Sequence, residues 1–304
     1  MHYGGQLLET TFDCVACMAK QAVKIAEEFG GPYETNEQIL RACLRVLSEA
    51  DYKTSSPAIS YLMQTEAKSI TGISDPYKQL KIYSNEISRK IVDQIESEGW
   101  IKSSSVEPEA DDFDTACRLA IAGNIIDYSA GIEVNYDTVM TSVKKSMAAE
   151  LHGVSTKSLL KKISESKKIM YIVDNAGEVF FDRFLLKQID KEKLTLVVKS
   201  GPIVNDATLI DAEAAGLQHH VDRIIDTGHN SQGVIRAYCS EAFWEAFNAS
   251  DLIISKGMAN FETLYRQTDK EIFFLFRAKC DRIADVIGCK KMDYVIVENK
   301  CISA

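Results

Sequence analysis

The first half of the chain repeats apolar residues at intervals of three to four positions. Met18, Ala22 and Ala26 illustrate this spacing, and Gly30 and Gly31 follow as a helix stop signal. Such an interval matches one turn of an α helix and places the apolar side chains on one face. The segments that carry the pattern, which we predict to be helices, are Cys14–Phe29, Glu37–Ala50, Ser56–Thr71, Tyr77–Glu98 and Asp112–Tyr128. We expect no strand between about residue 12 and residue 147.

After about residue 155 the pattern changes to short, continuously apolar runs, which are typical of strands buried on both faces. The predicted strands are Lys168–Val173, Leu194–Lys199, Arg223–Asp226, Leu252–Ser255, Ile272–Phe276 and Tyr294–Glu298. Helical segments separate several of them, namely Val179–Gln188, Thr208–Ala215, Gly233–Ala249 and Asn260–Tyr265. Alternating strands and helices predict a parallel sheet with helices on both faces.

These two patterns predict an α/β protein with two regions. Residues 1–155 form an all-helical region that caps the active site. Residues 156–304 form a three-layer α/β/α, Rossmann-like domain with a mostly parallel sheet. Ligands bind such sheets at the carboxyl ends of the strands, so the residues that follow each strand are the candidates for chemistry.

Composition narrows the range of partners. The chain has 304 residues with 35 basic and 44 acidic side chains, a formal net charge of −9. This balance argues against a nucleic-acid-binding face but leaves room for a local basic pocket. No apolar run approaches the roughly 20 residues that span a bilayer, so no membrane partner is expected. The segment Met1–Thr10 lacks the pattern of a secretory signal, so we expect a cytoplasmic protein.

Oxygen ligands and cations stand at four of the predicted strand ends. Asp174 and Asn175 follow the first strand, and Asp206 lies in the loop after the second. Such oxygens suit Mg²⁺ or Mn²⁺. Lys256 and Lys279 follow two other strands and would neutralise phosphate oxygens. Any one of these ends alone is better explained as a turn or a helix cap. Together they predict a metal-dependent phosphoryl site.

The blocks around these residues resemble the damage-control phosphatase family, formerly called Domain of Unknown Function 89. That family includes the human acidic-residue methyltransferase-like protein. The resemblance extends from Cys14 to about Cys280. The blocks that carry it are Asp174-Asn175-Ala176-Gly177-Glu178, Val204-Asn205-Asp206-Ala207-Thr208, Ser255-Lys256-Gly257-Met258-Ala259-Asn260-Phe261-Glu262, Lys279-Cys280 and, in the helical half, Ala122-Gly123-Asn124-Ile125-Ile126-Asp127.

The resemblance implies a hydrolase with a role in metabolite repair, which removes phosphate from damaged or overflow metabolites such as sugar phosphates or phosphopantetheine derivatives. By the same resemblance, the metal is Mn²⁺, Co²⁺, Ni²⁺ or Mg²⁺. Three groups of residues carry these roles. The metal ligands are Asp174, Asn175 and Asp206; the catalytic residues are Asp174, Lys256 and Lys279; the substrate-binding residues are Asn124, Asp127, Glu178, Lys256, Asn260 and Lys279.

One position departs from the family pattern. Many relatives have Arg-Thr-x-Lys before the last lysine, whereas this chain reads Phe276-Arg277-Ala278-Lys279. The lysine therefore carries over, but the arginine is displaced by one position. We assign Arg277 no role.

The reaction has open alternatives at this stage. Either a metal-activated water attacks the phosphorus, or Asp174 attacks and forms an aspartyl-phosphate. A protein that binds a nucleotide or sugar phosphate without turnover is the second hypothesis, and a carboxyl methyltransferase is the third. The chain lacks the Gly-x-Gly-x-x-Gly and Gly-x-x-x-x-Gly-Lys-Ser/Thr loops, which counts against nucleotide binding.

Eight cysteines are present, and only Cys14 and Cys17 are closely spaced. Together with Cys280 they resemble the cysteine pattern of the family's prokaryotic branch. Their spacing places both on one side of a helix. A regulatory disulfide and a soft-metal site completed by Cys280 are alternatives, but two cysteines do not make a zinc site. We favour packing or a place in the substrate pocket.

Overall fold

The computed structural model describes residues 8–102, 108–126 and 134–299. Helices dominate the described residues up to 150. They are α1 (Phe12–Phe29), α2 (Tyr33–Glu49), α3 (Ser56–Thr71), α4 (Lys78–Ser97), α5 (Ala110–Gly123) and α6 (Tyr136–Ala148). The later helices are α7 (Thr156–Glu165), α8 (Glu178–Leu186), α9 (Leu209–Ala214), α10 (Glu241–Ala249), α11 (Met258–Leu264) and α12 (Asp281–Ile287).

Seven strands form one sheet. They are β1 (Leu151–Gly153), β2 (Ile169–Ile172), β3 (Leu194–Val198), β4 (Arg223–Asp226), β5 (Leu252–Lys256), β6 (Ile272–Arg277) and β7 (Tyr294–Glu298). Their order across the sheet is β1-β7-β6-β5-β2-β3-β4. All neighbouring strands run parallel except β6 and β7, which are antiparallel. The predicted α/β class with a mostly parallel sheet is therefore confirmed.

The predicted strands all exist, with ends that differ by at most one or two residues. Other differences are larger. α2 begins at Tyr33, four residues before its predicted start, and α5 ends at Gly123, before its predicted end. The first eight residues of the predicted helix Gly233–Ala249 are not helical, and α10 begins at Glu241. The strand β1 was not predicted, because its sequence, Leu-His-Gly, is too short and polar to show a strand pattern. It lies before residue 155 and pairs with β7. The division into two regions at residue 155 stays a prediction.

Helices cover both faces of the sheet. On one face, residues such as Ile169, Tyr171 and Ile254 pack against α4, α5, α7 and α8. On the other, Ile172 and Ile253 pack against α10, α11 and α12. Because neighbouring side chains of a strand point to opposite faces, each strand supplies both cores. The architecture is a three-layer α/β/α sandwich.

A separate core holds α1, α2 and α3 together. It includes Met18, Phe29, Ile39 and Met63. Polar contacts join this bundle to the loops at the strand ends. Ser60 Oγ donates to Gln232 Oε1 at 2.9 Å. The bundle therefore stands over the carboxyl ends of the strands. Among the described residues no helix has the length and apolar character needed to cross a membrane.

Candidate active site

The strand order reverses between β2 and β5, and the candidate site lies at that position. β2 pairs with β3 on one side and with β5 on the other. The loops after these strands leave in different directions and open a crevice, which is where ligands bind in open parallel sheets. Asp174 follows β2, and Gly257 follows β5.

Backbone pairing fixes the two loops that carry the predicted metal ligands. Asn175 and Asp206 form an isolated antiparallel bridge. The amide of Ala207 donates to the carbonyl of Asp174 at 2.8 Å. This pairing holds the two loops in register. The structure thus brings Asp174, Asn175 and Asp206 together, although 31 sequence positions separate Asn175 from Asp206.

These three residues line a cavity of about 780 Å³ between the strand ends and the helical bundle. Residues of α1 and α3 line it as well, among them Lys20 and Ser60. That the helical region caps the active site remains a prediction. Such a volume lies in the range of small-molecule binding pockets.

Gly257 makes room for the carboxylate of Asp174. Its φ is +80°, and a Cβ on this residue would lie 2.1 Å from Asp174 Cγ. A side chain of any size at position 257 would therefore displace the first predicted ligand. Glycine is required here both by conformation and by space.

Two amides orient the Asp174 carboxylate from below. Asn124 Nδ2 donates to Asp174 Oδ2 at 2.9 Å and to Glu178 Oε2 at 2.8 Å. Asn175 Nδ2 donates to the same two oxygens at 2.7 and 2.9 Å. Because its nitrogen is engaged, the amide oxygen is the atom of Asn175 that is suited to a metal. Asn124 is fully buried at the end of α5 and does not line the cavity.

Gly123 explains how Asn124 reaches this position. A Cβ on Gly123 would lie 2.9 Å from the Phe181 ring, so only glycine lets α5 approach α8 this closely. Asn124 Oδ1 also accepts a hydrogen bond from the amide of Arg277 at 3.1 Å. One side chain therefore joins α5, β2 and β6 below the cavity.

Lys256 lies deeper than its predicted role as a phosphate ligand requires. Its side chain has no exposed surface. Nζ lies 2.6 Å from Glu178 Oε1 and 2.7 Å from Asp182 Oδ1, and it donates to the Ala120 carbonyl at 3.0 Å. Burial lowers the pKa of Lys256, but the two carboxylates outweigh this effect and raise it, which favours the charged form.

Asp182 and Tyr171 extend this buried network, and sequence reasoning missed both. Tyr171 Oη donates to Asp182 Oδ1 at 2.7 Å. Burial raises the pKa of Asp182, and the ammonium of Lys256 opposes the rise. The only sequence signal for Asp182 is a carboxylate four residues after Glu178, on the same face of α8.

Of the remaining predicted residues, some line the cavity and others are buried beneath it or lie outside it. Lys279 lines the cavity, whereas Glu178 is fully buried beneath it. Asn260 is buried, and its Nδ2 donates to the carbonyl of Lys256 at 2.7 Å. Arg277 packs at 4.7 Å over the ring of Tyr294, outside the cavity. Asp127 lies outside the described residues. The roles assigned to all these side chains remain predictions.

The donor set at the cavity fits a hard divalent cation. Asp174 and Asp206 offer carboxylates and Asn175 an amide oxygen, the chemistry that Mg²⁺ and Mn²⁺ prefer. In the described ranges no group of three His, Cys, Asp or Glu side chains is arranged to hold a metal. The set of two carboxylates and one amide is compatible with that finding, because asparagine is not among those residue types.

A second group of polar residues, Glu262, Cys280 and Arg282, lines the same cavity. Arg282 Nη1 lies 3.9 Å from Glu262 Oε2. Burial raises the pKa of Glu262 to about 7, although the Arg282 guanidinium opposes the rise. Cys14 and Cys17 of α1 complete this side of the cavity. Sequence analysis placed Glu262 only within a family block and did not single out Arg282.

Comparison with known proteins agrees with this architecture. The model of the damage-control phosphatase ARMT1-like domain matches residues 10–295. A damage-control phosphatase of Pyrococcus horikoshii is 33% identical over 297 residues, which cover 96% of this chain and 99% of that protein. A damage-control phosphatase of Archaeoglobus fulgidus is 32% identical over 288 residues, 93% of this chain and 96% of that one.

A solved structure extends the likeness to three dimensions. The crystal structure of a DUF89 family protein from Pyrococcus horikoshii superimposes with a TM-score of 0.84 and 31% sequence identity, over 96% of this chain and 99% of that chain. An uncharacterized protein of Methanocaldococcus jannaschii is 31% identical over 98% of both chains. The chain belongs to the damage-control phosphatase ARMT1-like family.

Proposed function

We propose that this protein is a metal-dependent phosphatase that hydrolyses small phosphomonoesters, as part of metabolite repair. The observation that carries the proposal is the convergence of Asp174, Asn175 and Asp206 on one wall of a cavity that also contains Lys279. Oxygen ligands for a cation and a side-chain cation for phosphate then face the same space. The names of the Pyrococcus and Archaeoglobus relatives support a phosphatase.

In this proposal Asp174, Asn175 and Asp206 hold a divalent ion, which we take to be Mn²⁺, Co²⁺, Ni²⁺ or Mg²⁺. When bound, such an ion supplies positive charge that polarises the phosphoryl group. Lys279 neutralises a further phosphoryl oxygen. Phosphoryl transfer depends mainly on positioning and charge stabilisation, so these residues suffice for the reaction class.

The buried residues hold this arrangement in place. Asn124 and Asn175 donate to Asp174 Oδ2 and fix its orientation. Lys256 holds Glu178, which in turn accepts hydrogen bonds from both amides. Because Lys256 is buried behind Glu178, we assign it a positioning role in place of direct phosphate contact.

We assign Asp174 the role of metal ligand rather than nucleophile. Two amide donors converge on its Oδ2 at 2.9 and 2.7 Å. Hydrogen bonds to a carboxylate stabilise its negative charge, and this weakens it as a nucleophile. Attack by water in a single displacement is therefore the better account of the reaction.

The substrate class follows from the size and the lining of the cavity. About 780 Å³ accommodates a phosphoryl group together with an organic portion. The organic portion would face Lys20, Gln21 and Ser60 on the helical bundle, which line the cavity opposite the strand ends. Sugar phosphates and phosphopantetheine derivatives are the classes that we propose.

The test uses the purified full chain after removal of metal with EDTA. Phosphate release from p-nitrophenyl phosphate is measured with Mn²⁺, Co²⁺, Ni²⁺ and Mg²⁺ added separately, followed by a screen of phosphorylated metabolites. We expect release that requires one of these metals and is absent in Asp174→Ala. If no phosphate is released with any of these metals or any substrate, the proposal is contradicted. That result would favour the hypothesis of a protein that binds a phosphate ester without turnover.

A further inference from the structure

Three cysteines from two distant parts of the chain line the candidate cavity. Cys14 and Cys17 lie on α1, and Cys280 is the residue before α12. The thiolate charge of Cys14 contributes to the raised pKa values of Cys17 and Cys280, after the larger effect of burial. The three sulfurs are therefore within electrostatic reach of one another.

Cys14 occupies an environment that favours the thiolate. It is the third residue of α1, in the first turn, where the helix dipole favours negative charge. Thr11 Oγ1 lies 3.3 Å from Cys14 Sγ, and Arg282 Nη1 donates to the same sulfur at 3.5 Å. Burial opposes ionisation, but hydrogen bonds from Ser56 and Thr11 and the charge of Arg282 lower the pKa of Cys14.

The other cysteines in the described ranges lack this combination. Cys43 and Cys117 are buried, and burial raises the pKa of Cys43 to about 12 and that of Cys117 well above its usual value. Burial also raises the pKa of Cys239, and raises that of Cys289 to about 11. Of the cysteines that the structure describes, Cys14 is the one whose pKa is lowered. A low pKa beside an arginine at a helix N-terminus is the mark of a reactive thiol.

Cys17 is placed to react with a group attached to Cys14. It lies one helical turn further along α1 and is an exposed residue. Side chains at positions i and i+3 of a helix are neighbours, with Cβ atoms about 5–6 Å apart, so a disulfide between them requires the first turn of α1 to adjust. A soft-metal site is the competing use of these thiols. In the described ranges, Cys14, Cys17 and Cys280 do not form a group of three His, Cys, Asp or Glu side chains arranged to hold one.

We propose that Cys14 and Cys17 form a thiol–disulfide exchange site in the wall of the candidate phosphatase cavity, and that its reaction partner is a small disulfide. The Cys14 thiolate attacks one sulfur of the partner; a mixed disulfide forms and one partner thiolate leaves. The Cys17 thiolate then attacks Cys14 Sγ, and the second partner thiol is released. The partner disulfide is reduced by two electrons, and the two cysteines are oxidised to a disulfide.

A consequence for the phosphatase follows, and this part rests on the proposed function. A group attached to Cys14 occupies the cavity that Asp174 and Lys279 also line. Substrate entry is then blocked until the mixed disulfide is resolved or reduced. The site would connect phosphatase activity to the thiol–disulfide balance around the protein.

Oxidised glutathione is a suitable probe for the test, with the products mapped by peptide mass spectrometry. The reduced full chain should form a Cys14–Cys17 disulfide, and Cys17→Ser should retain glutathione on Cys14. Cys14→Ser should form neither product, and Cys289→Ser should behave as the unmodified chain. Glutathione retained on Cys17 in Cys14→Ser, or reaction at Cys289 as fast as at Cys14, would overturn the assignment.

Arg282→Gln tests the cause of the reactivity separately. We expect iodoacetamide to modify Cys14 severalfold more slowly in this variant, because loss of the guanidinium raises the pKa of Cys14 and lowers its thiolate fraction. An unchanged rate would show that Arg282 does not contribute to the reactivity of Cys14. These readouts follow thiol chemistry alone, so they decide the proposal even if the protein releases no phosphate. Conversely, a phosphatase with unreactive Cys14 would contradict only this inference.

Discussion

Lys256 Nζ lies 2.6 Å from Glu178 Oε1, and neither side chain has any exposed surface. Removal of one partner of a buried ion pair leaves a charge without compensation, which costs about 3–5 kcal/mol. Lys256→Met should therefore lower the free energy of unfolding by about this amount, since Glu178 and Asp182 both lose their cation. Urea denaturation followed by circular dichroism measures the change.

Lys279→Met is the matched control for that experiment. Lys279 lines the cavity, so its loss should abolish phosphate release while it destabilises the fold less than Lys256→Met does. If Lys256→Met were as stable as the unmodified chain and only inactive, Lys256 would contact phosphate directly, as sequence analysis predicted. The two variants thus distinguish a residue that stabilises the fold from one that contacts phosphate.

The contrast between the two lysines also indicates what the sequence could reveal. Sequence analysis placed Lys256 just after a strand, but β5 extends through it. Side chains alternate along a strand, so Lys256 points to the same face as Leu252 and Ile254, into the core beneath α5 and α8. Lys279 lies two residues beyond the end of β6, where alternation no longer governs its direction.

The sequence predicts the loop residues of the site better than it predicts the partners in the buried hydrogen-bond network. Asp174, Asn175 and Asp206 were predicted together because the carboxyl ends of parallel strands share one edge of a sheet. Asp182 and Tyr171 were missed because both lie within apolar segments, and their contact depends on how α8 packs on β2. Arg282 was missed because the sequence gives no sign that α12 faces α1.

Gly257→Ala tests whether the space beside Asp174 matters for function. A Cβ there would lie 2.1 Å from Asp174 Cγ, so the carboxylate must move. A displacement of about 1 Å in a catalytic group costs about 100-fold in rate, and we expect a loss of this size. Steady-state phosphate release gives the value.

Gly30→Ala controls for backbone strain in the Gly257→Ala experiment. Gly30 has φ and ψ of 58° and 142°, close to the 80° and 159° of Gly257, but the nearest atom to its Cβ position is the Glu27 carbonyl oxygen at 3.9 Å. The substitution should cost about 1–3 kcal/mol of stability and leave activity unchanged. Equal activity losses in the two alanine variants would show that strain, and not the clash with Asp174, is responsible.

Glu262 should make stability depend on pH. Burial raises its pKa from 4.5 to about 7 in the folded state, although Arg282 opposes the rise. The folded protein therefore holds this proton more tightly than the unfolded chain does. The stabilising contribution is complete below about pH 4.5 and is lost as the pH rises through about 7. The full loss corresponds to about 3 kcal/mol.

Comparison with Glu262→Gln isolates this contribution. Between about pH 5 and about pH 8, the free energy of unfolding of the unmodified chain should fall by up to about 3 kcal/mol more than that of the variant. Burial keeps the pKa values of the neighbouring Cys17 and Cys280 above their usual value. Parallel pH profiles for the two proteins would rule out a titrating Glu262.

The stereochemistry at phosphorus distinguishes water from Asp174 as the nucleophile. One displacement by water inverts the configuration, whereas an aspartyl-phosphate requires two displacements and retains it. Because two amides already donate to Asp174 Oδ2, we predict inversion with a chiral thiophosphate ester. Retention, together with a phosphorylated peptide containing Asp174, would instead establish the covalent route.

The Mn²⁺ dependence of phosphate release in Asp206→Asn tests the central claim most directly. Asp226→Asn is the control, since Asp226 is an aspartate at the carboxyl end of the neighbouring strand β4 but does not line the cavity. We predict that Asp206→Asn requires at least about 100-fold more Mn²⁺ for half-maximal rate, or is inactive, while Asp226→Asn matches the unmodified chain. Identical Mn²⁺ dependence in all three proteins would contradict the assignment of Asp206, and with it a metal held at the strand ends.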